Sequence, residues 1–293
     1  GAIKKDPYRE FSTEDGARNK IKQIGDMVDY SRNKNGGLKL PNFGTNQQLT
    51  GLGGTTGETI TIYVEAEAET KLPQILFTQT YGAWNSWKAT VNLKPGKNVF
   101  TFPNIKAHGG YSVDIAAGGP IHILNPYTPE TQGGNVKLYI EGGYLYPVFR
   151  YGDDEETFKM ILKDYYEKLM DENNTAITVD AFECVSDHVI CSTRATQAYQ
   201  QYIVKGVSPQ ANIATWDDWI KKLLAYGGVQ FDSSQPFYDK RNDYVNVNIR
   251  AVQPYAGMFA FAWTDHVGLP DGGMQTHLVN KGVAGWAMGH EVG

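Results

Sequence analysis

The chain has 293 residues, of which 41% are hydrophobic, so it can bury one large core or two smaller ones. Its net charge of −5 argues against a nucleic-acid-binding protein, because such proteins present a basic face. No apolar run approaches the length of a transmembrane segment. The 32 glycines and 18 tyrosines favour β-structure with long surface loops, as is frequent in exported proteins.

Residues 1–37 are predicted to form a helical lead-in. A helix over residues 12–32 is favoured because Ser12 or Thr13 can cap its N-terminus. Acidic residues follow in its first turn, where the helix dipole stabilises them. Apolar residues then recur at helical spacing, at Ile21, Ile24 and Val28.

Between residues 38 and 148 the pattern changes to short strands, which predicts a β-sandwich domain. Residues 59–66 alternate between apolar and polar side chains, the period expected of a strand with one buried face. Turn residues separate five further strand candidates, which are 74–79, 88–93, 98–102, 121–124 and 136–141. Such strands favour two packed sheets, because each sheet must hide one face from water.

A predicted loop in this region carries Trp84 and Trp87. If exposed, these rings would contact sugars through their apolar faces. If buried, they would pack between the sheets, as tryptophan commonly does. The exposed arrangement would support an alternative function, a non-catalytic carbohydrate-binding or adhesion module of a secreted surface protein.

Residues 149–293 mix helices and strands. The acidic run 153–156 is typical of the first turn of a helix, and a buried stripe from Phe158 to Leu169 follows it. Later elements are predicted as helices over 194–205 and from Thr215 to Gly227, and as strands over 244–250 and 257–262. The fold class is therefore α+β.

Two cysteines, Cys184 and Cys191, bracket a predicted tight turn, which places them opposite each other on a hairpin. They form either a cross-strand disulfide or two buried free thiols, and the sequence favours neither. A metal site here is disfavoured, because only His188 accompanies the two thiols and the turn directs it away from them.

The last segment, Gly285–Gly293, predicts the start of an active-site helix. His290 and Glu291 form the first half of a His-Glu-x-x-His motif. In that motif two histidines one helical turn apart bind one zinc ion, and the glutamate takes a proton from the bound water. The remaining zinc ligands are expected outside this chain. A His-Glu pair alone is also common by chance, so the interpretation depends on the residues upstream.

The region before this helix supplies three candidates for binding substrate or stabilising an oxyanion, which are Tyr255, His266 and His277. A strand, a glycine-rich loop and a metal-ligand helix follow one another here, which is the order used by zinc proteases. The two histidines are alternatively ordinary loop residues.

Four segments occur in a specific order along residues 40–293. They are the glycine-rich stretch 49–62, the Gly-Gly-Pro-Ile-His-Ile element 118–123, the strand 136–147 and the terminal 285–293. In this order they resemble the enhancin-like zinc metallopeptidases, a family that includes mucin-degrading bacterial proteases. His122 stands where this family usually has tyrosine.

The resemblance implies an N-terminal β-sandwich followed by the first part of a zincin-like metalloprotease domain. It implies a secreted or cell-surface bacterial enzyme that cuts glycoproteins such as mucins beside O-glycosylated residues. His290 would bind one zinc ion and Glu291 would act as general base. Without the remaining ligands, the fragment is expected to bind zinc poorly and to be inactive.

Overall fold

The computed structural model describes residues 8–23, 47–80, 87–105, 118–236, 238, 247–253, 261–262 and 266–270. Within these ranges the protein is a sheet-rich α+β structure with three sheets, as the sequence predicts for the fold class. No helix in the described ranges is long and apolar enough to cross a membrane.

Nine strands build the first two sheets. Their bounds are β1 Tyr8–Ser12, β2 Gln47–Thr55, β3 Thr59–Ala66, β4 Gln74–Thr78, β5 Lys88–Asn92, β6 Gly96–Thr101, β7 Gly118–Leu124, β8 Val136–Glu141 and β9 Tyr144–Leu145. The four-stranded sheet has the order β1-β8-β3-β6, and the five-stranded sheet has the order β5-β4-β7-β2-β9. All of these strand pairs are antiparallel. A short helix, α1, spans Pro129–Gln132 before β8.

The two sheets share one hydrophobic core. In β3 the side chains of Ile60, Ile62 and Val64 are buried and alternate with more exposed neighbours, as the period-two pattern predicts. Phe77 and Ile121 of the five-stranded sheet belong to the same cluster. Burying one such side chain fully stabilises the fold by about 1.5–3 kcal/mol, so this cluster holds the two sheets together.

The helix predicted over 12–32 does not form in the part of that range that the structure describes. The chain instead pairs β1 with β8 and buries Phe11 and Ile21 in the shared core. The Ile21 amide donates to the Ser12 carbonyl at 2.8 Å, and the Ser12 amide donates to the Asn19 carbonyl at 3.0 Å. The helix prediction is wrong here because burial of two apolar side chains outweighs a weak local preference.

Six strands form the third sheet, in the order β10-β11-β12-β13-β15-β14. Their bounds are β10 Val148–Arg150, β11 Phe182–Val185, β12 Val189–Thr193, β13 Val247–Gln253, β14 Phe261–Ala262 and β15 Val267–Pro270. This sheet mixes parallel and antiparallel pairs, as expected where helical connections alternate with hairpins.

The helices of this part are α2 Glu155–Met170, α3 Ala195–Ala198, which continues as a π-helix over Tyr199–Val204, and α4 Pro209–Tyr226. The predicted acidic start of α2 is confirmed, because the Asp154 side chain accepts a hydrogen bond from the Thr157 amide. Phe158, Leu162 and Tyr165 of α2 are buried in a second hydrophobic cluster beside the six-stranded sheet.

Helix α4 begins six residues before its predicted start at Thr215. Ser208 is the N-cap, its hydroxyl accepting from the Ala211 amide at 3.0 Å, and Pro209 occupies the first turn. Proline there is favoured because its missing N–H would be unpaired in any case. The Ser-Pro pair was the stronger start signal, and Gly227 ends the helix as predicted.

Replacing Ser208 by alanine is expected to lower the free energy of unfolding by about 1 kcal/mol. The hydroxyl caps α4 and also donates to Glu155 at the start of α2, which lowers the pKa of that carboxyl. Chemical denaturation of Ser208→Ala measures the loss, with the exposed Ser233→Ala as the matched control. Equal stability of the two variants would contradict the capping role.

Candidate functional site

Five of the residues predicted to carry function lie outside the described residues. They are Trp84, Tyr255, His277, His290 and Glu291. Their roles therefore stay predictions. The described part shows the scaffold that leads to them and the surroundings of the remaining candidates, Trp87, His266 and the two cysteines.

The six-stranded sheet contains the last described strands before the predicted active-site segment. Strands β13 and β15 are parallel neighbours, and β14 pairs with β15 in antiparallel register as the last strand in the sheet order. An edge strand presents backbone N–H and C=O groups, which can hold an extended peptide by strand addition.

Trp87 and His266 pack against each other inside the protein. Each is 0% exposed, and their rings meet edge to face with centroids 5.9 Å apart. The prediction of Trp87 as a glycan contact is therefore wrong, because a buried ring offers no face to a sugar. Trp87 is a buried side chain, and the glycan-binding alternative loses this support. His266 is a buried residue next to β15.

Glu183 of β11 is a fully buried carboxylate held by three side chains. Nε2 of His122 on β7 lies 2.9 Å and 3.1 Å from its two oxygens. The Tyr146 hydroxyl donates to Oε1 at 2.6 Å, and the Ser192 hydroxyl donates to Oε2 at 2.8 Å. These four residues, named here the Glu183 cluster, connect the five-stranded sheet to the six-stranded sheet.

The Glu183 cluster holds a charge away from water. Desolvation by burial raises the pKa of Glu183, but the charge of His122 and the hydrogen bonds from its three partners outweigh it, so the pKa is lowered. The pKa of Tyr146 is raised by burial and then by the adjacent carboxylate. Nδ1 of His122 has no hydrogen-bond partner among the described residues. The cluster is thus a structural connection that favours the ionised carboxylate.

Sequence reasoning missed this cluster. Its members are far apart along the chain, His122 and Glu183 being 61 positions apart. The available signal was His122, the residue that departs from the family pattern. A charged Glu183 in an otherwise apolar strand was a second signal, because buried charges require partners.

The β11–β12 hairpin places Cys184 directly opposite Cys191, as predicted. Both are buried free thiols in the structure. A hydrogen bond to Cys184 and then burial raise the pKa of Cys191 well above its usual value. Such thiols stay protonated and unreactive. His188 is buried with its ring 4.8 Å from that of Phe231.

Within the described ranges, no group of three or more His, Cys, Asp or Glu side chains is placed to bind a metal ion. The described residues therefore do not by themselves fit a zinc site. The ligand that the sequence predicts from this chain, His290, lies outside them.

The chain shares its fold with solved metallopeptidases. Among solved structures, the chain is similar to the ZmpB metallopeptidase from Clostridium perfringens, with 27% identity, a TM-score of 0.75, and coverage of 93% of this chain and 52% of that one. It is similar to the catalytic module of the metalloprotease ZmpA from the same organism, with 26% identity and a TM-score of 0.76, covering 92% of this chain and 52% of that one.

The M60 catalytic domain of Clostridium perfringens ZmpC, solved in complex with the sialyl T antigen, shares the fold with a TM-score of 0.75 and 24% identity, covering 93% of this chain and 52% of that one. The chain thus spans about half the length of these structures. No protein-family model and no curated protein sequence matches it. These structural neighbours are M60-like metallopeptidases.

Proposed function

We propose that the protein is a zinc metalloendopeptidase that acts on glycoproteins such as mucins. The observation that carries this proposal is the fold match to a metallopeptidase over 93% of the chain. The His-Glu pair at 290–291 supports it independently, because it follows the six-stranded sheet in the order expected of a zinc peptidase.

The substrate class is supported by what two neighbours bind. The ZmpC domain was solved with the sialyl T antigen, and a further metallopeptidase of the same fold was solved with the Tn antigen. For this chain we propose a substrate peptide carrying O-linked glycans. We also propose a secreted or cell-surface location in a bacterium, where such substrates are met.

In this proposal the domain arrangement follows the predicted boundaries. The four- and five-stranded sheets that share a core form a β-sandwich within residues 38–148, to which β1 adds an edge strand. Residues 149–293 form the N-terminal part of a zincin-like catalytic domain. The Glu183 cluster connects the two parts, which keeps the peptidase scaffold in a fixed position on the sandwich.

The proposed chemistry assigns one role to each residue of the His-Glu pair. His290 would bind the metal, and Glu291 would accept a proton from the attacking water and pass it to the leaving amine. When bound, zinc acidifies that water and polarises the scissile carbonyl. A zinc site of this kind needs further protein ligands besides His290, which we propose are supplied by a longer protein.

Metal removal tests this function directly. A longer protein that continues past residue 293 is expected to cleave mucin, to lose that activity after treatment with a chelator, and to regain it when zinc is restored. Gel electrophoresis of the glycoprotein substrate follows the reaction, and a non-glycosylated protein serves as the comparison substrate. Cleavage that persists at full rate in the metal-free protein would disprove the proposal.

A further inference from the structure

The four-stranded sheet turns one face toward the shared core and the other toward solvent. Three tyrosines lie on the solvent face on three adjacent strands: Tyr8 on β1, Tyr139 on β8 and Tyr63 on β3. Tyr63 is directly opposite Tyr139, and Tyr8 stacks on Tyr139 with centroids 6.0 Å apart and planes at 22°. Tyr8 is 57% exposed and Tyr63 is 38% exposed. These residues are named here the tyrosine platform.

Polar neighbours hold the rings of the platform in place. Nζ of Lys97 lies 6.0 Å from the centroid of the Tyr63 ring, within cation–π range. The Tyr139 hydroxyl donates to Oε2 of Glu65 at 3.2 Å. Glu10 is directly opposite Tyr139 on the other side. The rings are therefore preorganised, which reduces the entropy lost when a ligand binds.

Three carboxylates surround the Tyr8 side of the platform, whereas the Lys97 ammonium lies over Tyr63 at its other side. Desolvation raises the pKa of Tyr8, and the charges of Glu10, Glu65 and Glu141 raise it further. Lys137 lies on the same face, but its ammonium pairs with the Glu14 carboxylate at 3.7 Å. Carboxylates around exposed aromatic rings disfavour an anionic ligand and offer acceptors for hydroxyl groups.

We propose that the tyrosine platform binds neutral sugar residues of a glycoprotein glycan. A pyranose ring has an apolar C–H face, which matches the exposed aromatic surface of Tyr8 and Tyr63. It also has a rim of hydroxyls, which match the acceptors of Glu10 and Glu65. The inference rests on the proposed function for the source of the glycan. It places a second substrate contact on the sandwich, remote in sequence from the His-Glu pair.

The test is affinity gel electrophoresis of the protein through gels that contain desialylated or native mucin, with a chelator present to prevent cleavage. The protein is expected to migrate more slowly in desialylated mucin than in native, sialylated mucin. The double variant Tyr8→Ala/Tyr63→Ala is expected to bind about tenfold more weakly, if each ring contributes as an aromatic contact does. Tyr63→Phe keeps the ring and is expected to bind normally.

Tyr226→Ala is the matched control, because Tyr226 is 95% exposed at the end of α4 and belongs to another part of the fold. Thermal melting shows that each variant is folded, and Tyr8→Ala alone replaces the double variant if the latter melts early. Equal retardation of the wild type and the Tyr8 variants would overturn the proposal. The proposal would also be overturned if the wild type is not retarded, or if sialylated mucin retards it more strongly than desialylated mucin.

The two proposals fail in different measurements. Slower migration of the protein in mucin gels that contain the chelator does not require the His-Glu pair. Cleavage of mucin by the longer protein does require it. A protein that binds desialylated mucin through the tyrosine platform but never cleaves it would reject the peptidase and retain the glycan site. A protein that cleaves mucin with unchanged rate and affinity in the Tyr8→Ala/Tyr63→Ala variant would retain the peptidase and reject the glycan site.

Discussion

Replacing Glu183 by alanine is expected to lower the free energy of unfolding by about 3–5 kcal/mol, the cost of breaking a buried ion pair from one side. The change removes the acceptor of His122, Tyr146 and Ser192 at once. Each buried polar group left without a partner costs roughly 1–3 kcal/mol. Since a domain of ordinary stability has about 5–15 kcal/mol in total, urea denaturation should show an early transition.

The matched control is Glu172→Ala, which removes an exposed carboxylate after α2 and should change stability by less than about 0.5 kcal/mol. A double-mutant cycle with His122→Phe tests the contact itself. Neighbours in one hydrogen-bond network couple by about 0.5–3 kcal/mol. Strict additivity of Glu183→Ala and His122→Phe would show that the ion pair does not hold the two sheets together.

The same cluster predicts how stability depends on pH. The pKa of Glu183 is below its ordinary value of 4.5 in the folded state, so the folded protein binds its proton less readily than the unfolded chain. The stabilisation is therefore fully present above the unfolded pKa and is lost as pH falls through the folded value. As the pH falls below about 4.5, Glu183→Gln should show a shallower loss of stability than the wild type in urea denaturation.

The strands of the two core-sharing sheets could be predicted because their sequence pattern and their environment agree. In β3 every second side chain faces the core, so the local alternation contains the information that packing uses. The first strand could not be found in this way. Residues 12–23 have caps and spacing that favour a helix, but Phe11 and Ile21 gain more by burial between sheets whose other strands are distant in sequence.

The site could be predicted only as far as local motifs allow. The His-Glu pair is adjacent in the chain and therefore visible, whereas the Glu183 cluster exists only after three strands and a connecting segment meet. For Trp87 the sequence left an exposed and a buried orientation open, and the structure buries the ring against His266. The direction of an aromatic side chain in a loop depends on its tertiary neighbours, which no local pattern contains.

The largest effect on activity is expected from Glu291. In a longer protein that continues past residue 293, Glu291→Gln should lower kcat/KM on mucin by about 10²–10⁴-fold, because the amide cannot accept the proton of the attacking water. The zinc content should stay unchanged, since Glu291 is not assigned as a ligand. His290→Ala should lower both activity and zinc content, because it removes one of the few protein ligands of the site.

The separation of these two effects distinguishes a catalytic base from a metal ligand. Atomic emission measures bound zinc on the same samples that are assayed for cleavage, and thermal melting confirms that each variant is folded. The exposed Glu172→Gln variant should match the wild type in both measurements. Loss of zinc in Glu291→Gln would assign that residue to the metal instead of the proton, and full cleavage by both Glu291→Gln and His290→Ala would place the active site elsewhere in the protein.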